Sequence, residues 1–145
     1  MKLFTINLLK FAGSLFLLTI AFRYGLSSLL EASNFTLVWL VAAGYAIAVF
    51  AVAWNFGKKD HESLPLFDIG FRFHLTTYVV CNLIAEIWFL IGFQSKHENI
   101  QTVHITAIAW GVGLLIHFVF YLFTRKNAIK GIDKSEIFEY SFDLK

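Results

Sequence analysis

Formal charge is scarce in this 145-residue chain: only 15% of its residues are Asp, Glu, Lys or Arg, and proline, cysteine and methionine each occur once. Ordinary globular chains are roughly a quarter charged. So little charge excludes a disordered tail and a nucleic-acid-binding module. A net charge of +2 offers nothing to a polyanion. The lone Cys81 excludes a disulfide framework and a thiolate metal site, and it reads as a small apolar packing residue. Enzyme motifs are missing too. The chain has no Gly-rich phosphate loop and no Gly-x-Ser-x-Gly elbow, and His97-Glu98-Asn99-Ile100-Gln101 lacks the second histidine of a zinc-protease helix.

Hydrophobic residues make up 58% of the chain, with 17 Phe and 4 Trp, and the mean hydropathy is +0.67. A membrane span takes about 20 residues, so four spans nearly fill the length. They are expected at residues 11–30, 36–56, 71–93 and 104–124, followed by a short tail at 125–145. This is a single all-α membrane domain, a four-transmembrane-helix bundle. Lys2 and Lys10 precede an apolar run, as in a secretory signal, but no Ala-x-Ala-like site follows, so the first segment is expected to be retained. Gly57 to Gly70, holding Pro65, reads as a linker.

Lysine and arginine accumulate on the cytoplasmic side of membranes. Ten of the twelve fall on one side: Lys2 and Lys10, then Lys58, Lys59 and Arg72, then Arg125, Lys126, Lys130, Lys134 and Lys145. Both termini are therefore expected in the cytoplasm, with the chain multi-pass in its membrane. Loops near 31–35 and 94–104 are too short for a receptor domain.

Polar residues inside spans are costly and are the default functional candidates. His74, Tyr78, Asn82 and Glu86 recur every fourth residue and share one face of span three. Thr106, Trp110, Gly113, His117 and Tyr121 form the matching face of span four, while Gly111 and Gly113 permit close helix approach. His74 and His117 come out about 6 and 9 Å from the inner edge, near enough to meet. Two histidines there would suit a haem iron, a divalent metal or a proton-sensitive contact. The plainer alternative is that each ring satisfies a carbonyl or a Tyr hydroxyl. By the same reckoning Arg23 and Glu86 differ in depth by about one helical turn and are expected to form an ion pair.

The segment Phe73-His74-Leu75 with Tyr78 and Asn82, then Trp110-Gly111-Val112-Gly113-Leu114 and His117, resembles the bacterial "2TM domain" family. That family has a His-x3-Tyr-x3-Asn pattern in its first helix and a Trp-Gly-x-Gly-Leu segment in its second. The resemblance covers about residues 70–139 and implies a small hairpin membrane domain, found alone or fused to signalling modules. The first half of the chain reads as a degenerate copy, with Ala12 and Phe50 at the positions of the two histidines.

Three functions follow as expectations. The leading one is a non-enzymatic sensor or accessory module. Its cavity, lined by His74, Tyr78, Asn82, Trp110, Gly113 and His117, binds a small ligand, cofactor or proton and reports to a membrane or cytoplasmic protein partner. The second is a b-type haem or metal-binding redox protein ligated by His74 and His117. The third is an oligomeric channel, or a structural subunit of a membrane complex, built on the small-residue face of span two.

Overall fold

The computed structural model describes residues 5–61 and 66–130. These residues form four antiparallel helices, α1 (Ile6–Glu31), α2 (Phe35–Asp60), α3 (Leu66–Leu90) and α4 (Ile100–Lys130), with no strand among the described residues. All four are long and apolar enough to cross a membrane. The expected spans 11–30, 36–56 and 104–124 lie inside α1, α2 and α4, whereas α3 stops three residues short of the expected 93. There Gly92 takes a left-handed backbone (φ 76°), a conformation that glycine adopts without steric penalty. Of the expected tail, the backbone of α4 continues to Lys130, and 131–145 lie outside the described residues.

Local chemistry sets the helix ends. The Thr5 hydroxyl caps α1 by accepting the Leu8 N–H at 3.1 Å. Only Ala32, Ser33 and Asn34 separate α1 from α2. Ser33 turns the chain in the left-handed region (φ 55°), Asn34 N–H donates back to the Leu29 carbonyl, and the Asn34 side chain caps α2. The expected linker at 57–70 is mostly helix. Lys58 and Lys59 sit in the last turn of α2 and Asp68 in the first turn of α3, each charge matching its helix dipole. Residues 62–65, including Pro65, are outside the described residues.

Helix α1 is central, packing against both α2 and α3. Helix α4 packs against α3, and among the described residues none of its Cα atoms comes within 8 Å of α1 or α2. The bundle is open on one side. Leu8, Phe11, Leu15, Thr19, Arg23 and Ser27 form the buried stripe of α1 at three- and four-residue steps. Its first half is apolar. Phe11 and Leu15 are fully buried and join Leu8, Ile69 and Phe73 in the core, with Phe11 and Phe73 4.7 Å apart. The second half is polar and faces the end that carries the 32–34 turn and the 91–99 segment, called the loop end below. At the opposite end Asp60 is buried and accepts from the Thr5 hydroxyl (2.6 Å) and the Asn7 amide (2.8 Å), tying α2 to α1.

Candidate binding cleft

Helix α3 presents two faces. Ile69, Phe73, Ile84, Ala85 and Trp88 are buried, while the four-residue series His74, Tyr78 and Glu86 turns toward α4. The His74 and His117 rings meet with centroids 5.0 Å apart, inclined by 70°. The Tyr78 hydroxyl donates to the Ala107 carbonyl at 3.3 Å, and its ring stands edge-on to Trp110 at 5.7 Å. Asn82 instead donates to the Tyr78 carbonyl of its own helix at 2.7 Å.

Two expected features are corrected. Gly113 does not line the site: a Cβ there would meet nothing within 4 Å. Gly111 is the close-approach glycine, because a Cβ would lie 3.2 Å from the Tyr78 hydroxyl oxygen. The partly covered face of α4 runs through Val103, Ala107, Gly111, Leu114, His117 and Tyr121. It keeps the expected His117 and Tyr121, and toward the loop end it is offset by one residue from the expected Thr106, Trp110 and Gly113, because helices approach where side chains are small.

The expected Arg23–Glu86 ion pair is also replaced. Arg23 Nη2 lies 2.9 Å from Glu98 Oε1, both side chains being about nine-tenths buried. Glu86 Oε1 instead lies 2.9 Å from His104 Nε2 on a half-exposed surface. The reason is direction: α1 buries Arg23, whereas Glu86 shares the α4-facing series. Glu98 also accepts from the Ser27 hydroxyl (2.6 Å) and the Ser95 N–H (2.8 Å), and the Trp88 indole donates to Ser27 Oγ at 2.9 Å. Glu31 adds the Ser95 hydroxyl, the Lys96 N–H and an exposed ion pair with Lys96. The 91–99 segment is thus folded down onto α1.

Between α2 and α4, over a floor of α1 and α3, lies a lateral cleft of about 630 Å³. Of the expected lining, His74, Asn82 and Trp110 face it, whereas Tyr78 and His117 are taken up in the α3–α4 contact and are not among its lining residues; Arg23, Thr19, Tyr45, Thr102 and Cys81 join instead, while Val49, Phe50, Ala53 and Phe73 make apolar wall. Thr19, Tyr45 and Cys81 were not singled out by sequence as a polar group. The Thr19 hydroxyl donates to the Leu15 carbonyl at 2.7 Å. Its single proton is then committed, so the Tyr45 hydroxyl, 2.8 Å away, donates to Thr19. Cys81 Sγ, 3.2 Å from the Tyr45 oxygen, is left as the donor to Tyr45. Three helices are pinned together at the cleft floor by this chain. The signal was present in the spacing of Thr19, Arg23 and Ser27, four residues apart on one face of an apolar helix.

The two histidines do not fit an axial haem. Two metal–nitrogen bonds of about 2 Å in line would hold the ring centres about 6 Å apart, and here they touch at 5.0 Å. No group of three His, Cys, Asp or Glu side chains suited to a metal occurs among the described residues.

Compared with family models, with curated proteins and with solved structures, the chain has no match.

Proposed function

We propose that this chain is a multi-pass protein of the bacterial inner membrane, with both termini cytoplasmic, that takes a small membrane-dissolved molecule into the lateral cleft and communicates its occupancy to a protein partner. The observation that carries this reading is the cleft itself. A volume of about 630 Å³ lies in the range of small-molecule sites, which are mainly apolar with a few placed polar groups. It opens sideways, where a lipid-soluble ligand would arrive. Support for the membrane setting comes from the large apolar side chains exposed on α2 and α4, among them Trp39, Leu40, Ile47, Phe50 and Trp54, then Ile105, Ile108, Leu115 and Phe120. In water such a surface would drive association.

The hairpin bearing the resemblance to the 2TM domain family supplies His74, Asn82 and Trp110 to the lining, opposite Thr19, Arg23 and Tyr45 of α1 and α2. The test is extraction. Protein purified gently from membranes should carry a small molecule enriched over bulk lipid. Ala46→Trp, which fills the cleft from α2, should lose it. Identical extracts from the two proteins would end the proposal.

A further inference from the structure

We propose that the cleft takes a quinone, a neutral flat ring with carbonyl oxygens at opposite ends, held between His74 and Trp110; this names the ligand of the binding reading above and rests on it. Aromatic side chains face the cleft from both sides, Phe22, Tyr45 and Phe50 from α1 and α2, and Phe73, His74 and Trp110 from α3 and α4. Phe22 and Tyr45 are stacked, with centroids 4.3 Å apart and planes inclined by 15°, and so present a flat surface. Phe50, His74 and Trp110 keep exposed ring area. Contact of ring with ring gains more than the buried area alone supplies, which favours a planar ligand over a bare hydrocarbon tail.

The polar groups set what that ring must carry. Thr19, Tyr45, Thr77 and Thr106 have each committed their one hydroxyl proton, to the Leu15 carbonyl, the Thr19 oxygen, the Phe73 carbonyl and the Thr102 carbonyl. Arg23 is paired with Glu98, and its unpartnered Nε is sealed off, so it offers the ligand nothing. His74 and Trp110 are uncommitted: among the described residues their rings meet other rings, and neither has a hydrogen-bond partner. A neutral imidazole carries one N–H, and an indole nitrogen only donates. The matching ligand therefore brings accepting oxygens and no fixed charge.

The separation of the two donors selects where those oxygens lie. Trp110 stands seven residues before His117, the ring partner of His74, which places the donors about 10 Å apart along the bundle. A para-quinone has its oxygens about 5 Å apart, and a hydrogen bond of about 2.9 Å at each end lets it join donors about 11 Å apart. His117 and Tyr78, whose rings lie 5.0 and 5.7 Å from those of His74 and Trp110, fix both donors from outside the cleft.

The experiment uses Cys81, the single cysteine, which lines the cleft and so reports occupancy through its rate of alkylation by a lipid-soluble maleimide. The full chain is placed in nanodiscs containing decyl-trimethylbenzoquinone, whose fully substituted ring does not add to a thiol, or decyl-trimethylbenzene, which lacks the oxygens, or decanol, which lacks the ring. The quinone should protect Cys81 at a mole fraction about tenfold lower than either comparison compound, a difference of about 1.4 kcal/mol. His74→Phe and Trp110→Phe each keep a ring and remove an N–H, so each should raise the quinone fraction needed about fivefold and leave protection by decyl-trimethylbenzene unchanged. Equal protection by quinone and alkylbenzene, or by quinone and decanol, would overturn the assignment, as would folded variants that bind the quinone like the native chain; all leave the cleft reading standing. Protection by none of the three would also overturn it, and the extraction test above then decides the cleft reading alone. Should one variant fail to fold, the other and the ranking in the native chain decide.

Discussion

Arg23 of α1 and Glu98 of the α3–α4 connection lie 2.9 Å apart at the loop end, and this pair joins two parts of the chain that helix packing leaves separate. Helix α4 rests on α3 and has no Cα within 8 Å of α1 among the described residues. Its leading segment is nevertheless held to α1, because Glu98 also accepts from Ser27 and from the Ser95 N–H. The carboxylate therefore fixes both the guanidinium and the entry of α4.

Removing one partner of a buried pair leaves the other charge uncompensated. Glu98→Ala should therefore lower stability by about 3 kcal/mol. Glu86→Ala should cost less than about 1 kcal/mol, since its contact to His104 lies on a half-exposed surface. Unfolding in detergent, followed by circular dichroism, compares the two. Equal losses would show that the Arg23 contact does not hold the loop.

The four helices were legible because a charge-poor apolar run longer than a bilayer leaves few alternatives. The His74–His117 contact was legible as well, because four-residue spacing on α3 survives packing. What the spacing on α4 hid was the choice of contact face. Trp110 does line the cleft and meets the Tyr78 ring, but Gly113 looked like a site residue by type, whereas the close approach runs through Ala107 and Gly111, where side chains are small. The partner of Arg23 was hidden for another reason. Glu98 lies outside every apolar span, and only the turn at Gly92 with the bonds from Glu31 to Ser95 and Lys96 folds that segment back. Hydropathy carries no record of such a reversal.

Tyr45 should be the weak point of the cleft floor. In Tyr45→Phe, Thr19 keeps its bond to the Leu15 carbonyl but loses a donor, and Cys81 loses the oxygen 3.2 Å away. A stability loss of about 1 kcal/mol is expected. Cys81 alkylation should accelerate at the same time, since its S–H no longer has that acceptor. A variant with unchanged stability and an unchanged alkylation rate would contradict the donor order Cys81 to Tyr45 to Thr19.

Two glycines of α4 separated only by Val112 should respond oppositely to bulk. Gly111→Leu drives a side chain into the Tyr78 hydroxyl, where even a Cβ would lie at 3.2 Å. Overpacking of this kind costs about 1–3 kcal/mol. Gly113→Leu enters open space and should be neutral or, through helix propensity, slightly stabilising. The pair of unfolding curves tests the rotation of α4 directly, and the reverse ranking would return Gly113 to the interface.

The His74–His117 contact is ring against ring, at 5.0 Å and 70°, and that geometry governs its response to metals and to substitution. Two imidazoles supply half of a tetrahedral zinc shell, and no third His, Cys, Asp or Glu completes one among the described residues. Added zinc should therefore leave thermal stability unchanged in the micromolar range, and the purified protein should show no Soret absorbance on incubation with haem. The contact itself should be measurable in a double-substitution cycle. His74→Ala and His117→Ala, alone and together, should reveal a coupling of about 0.5–1 kcal/mol. Substitution of either by Phe should retain part of that coupling, because an edge-to-face arrangement survives loss of the ring nitrogens. A saturable rise in melting temperature with zinc, abolished by either alanine, would instead assign the pair to a metal.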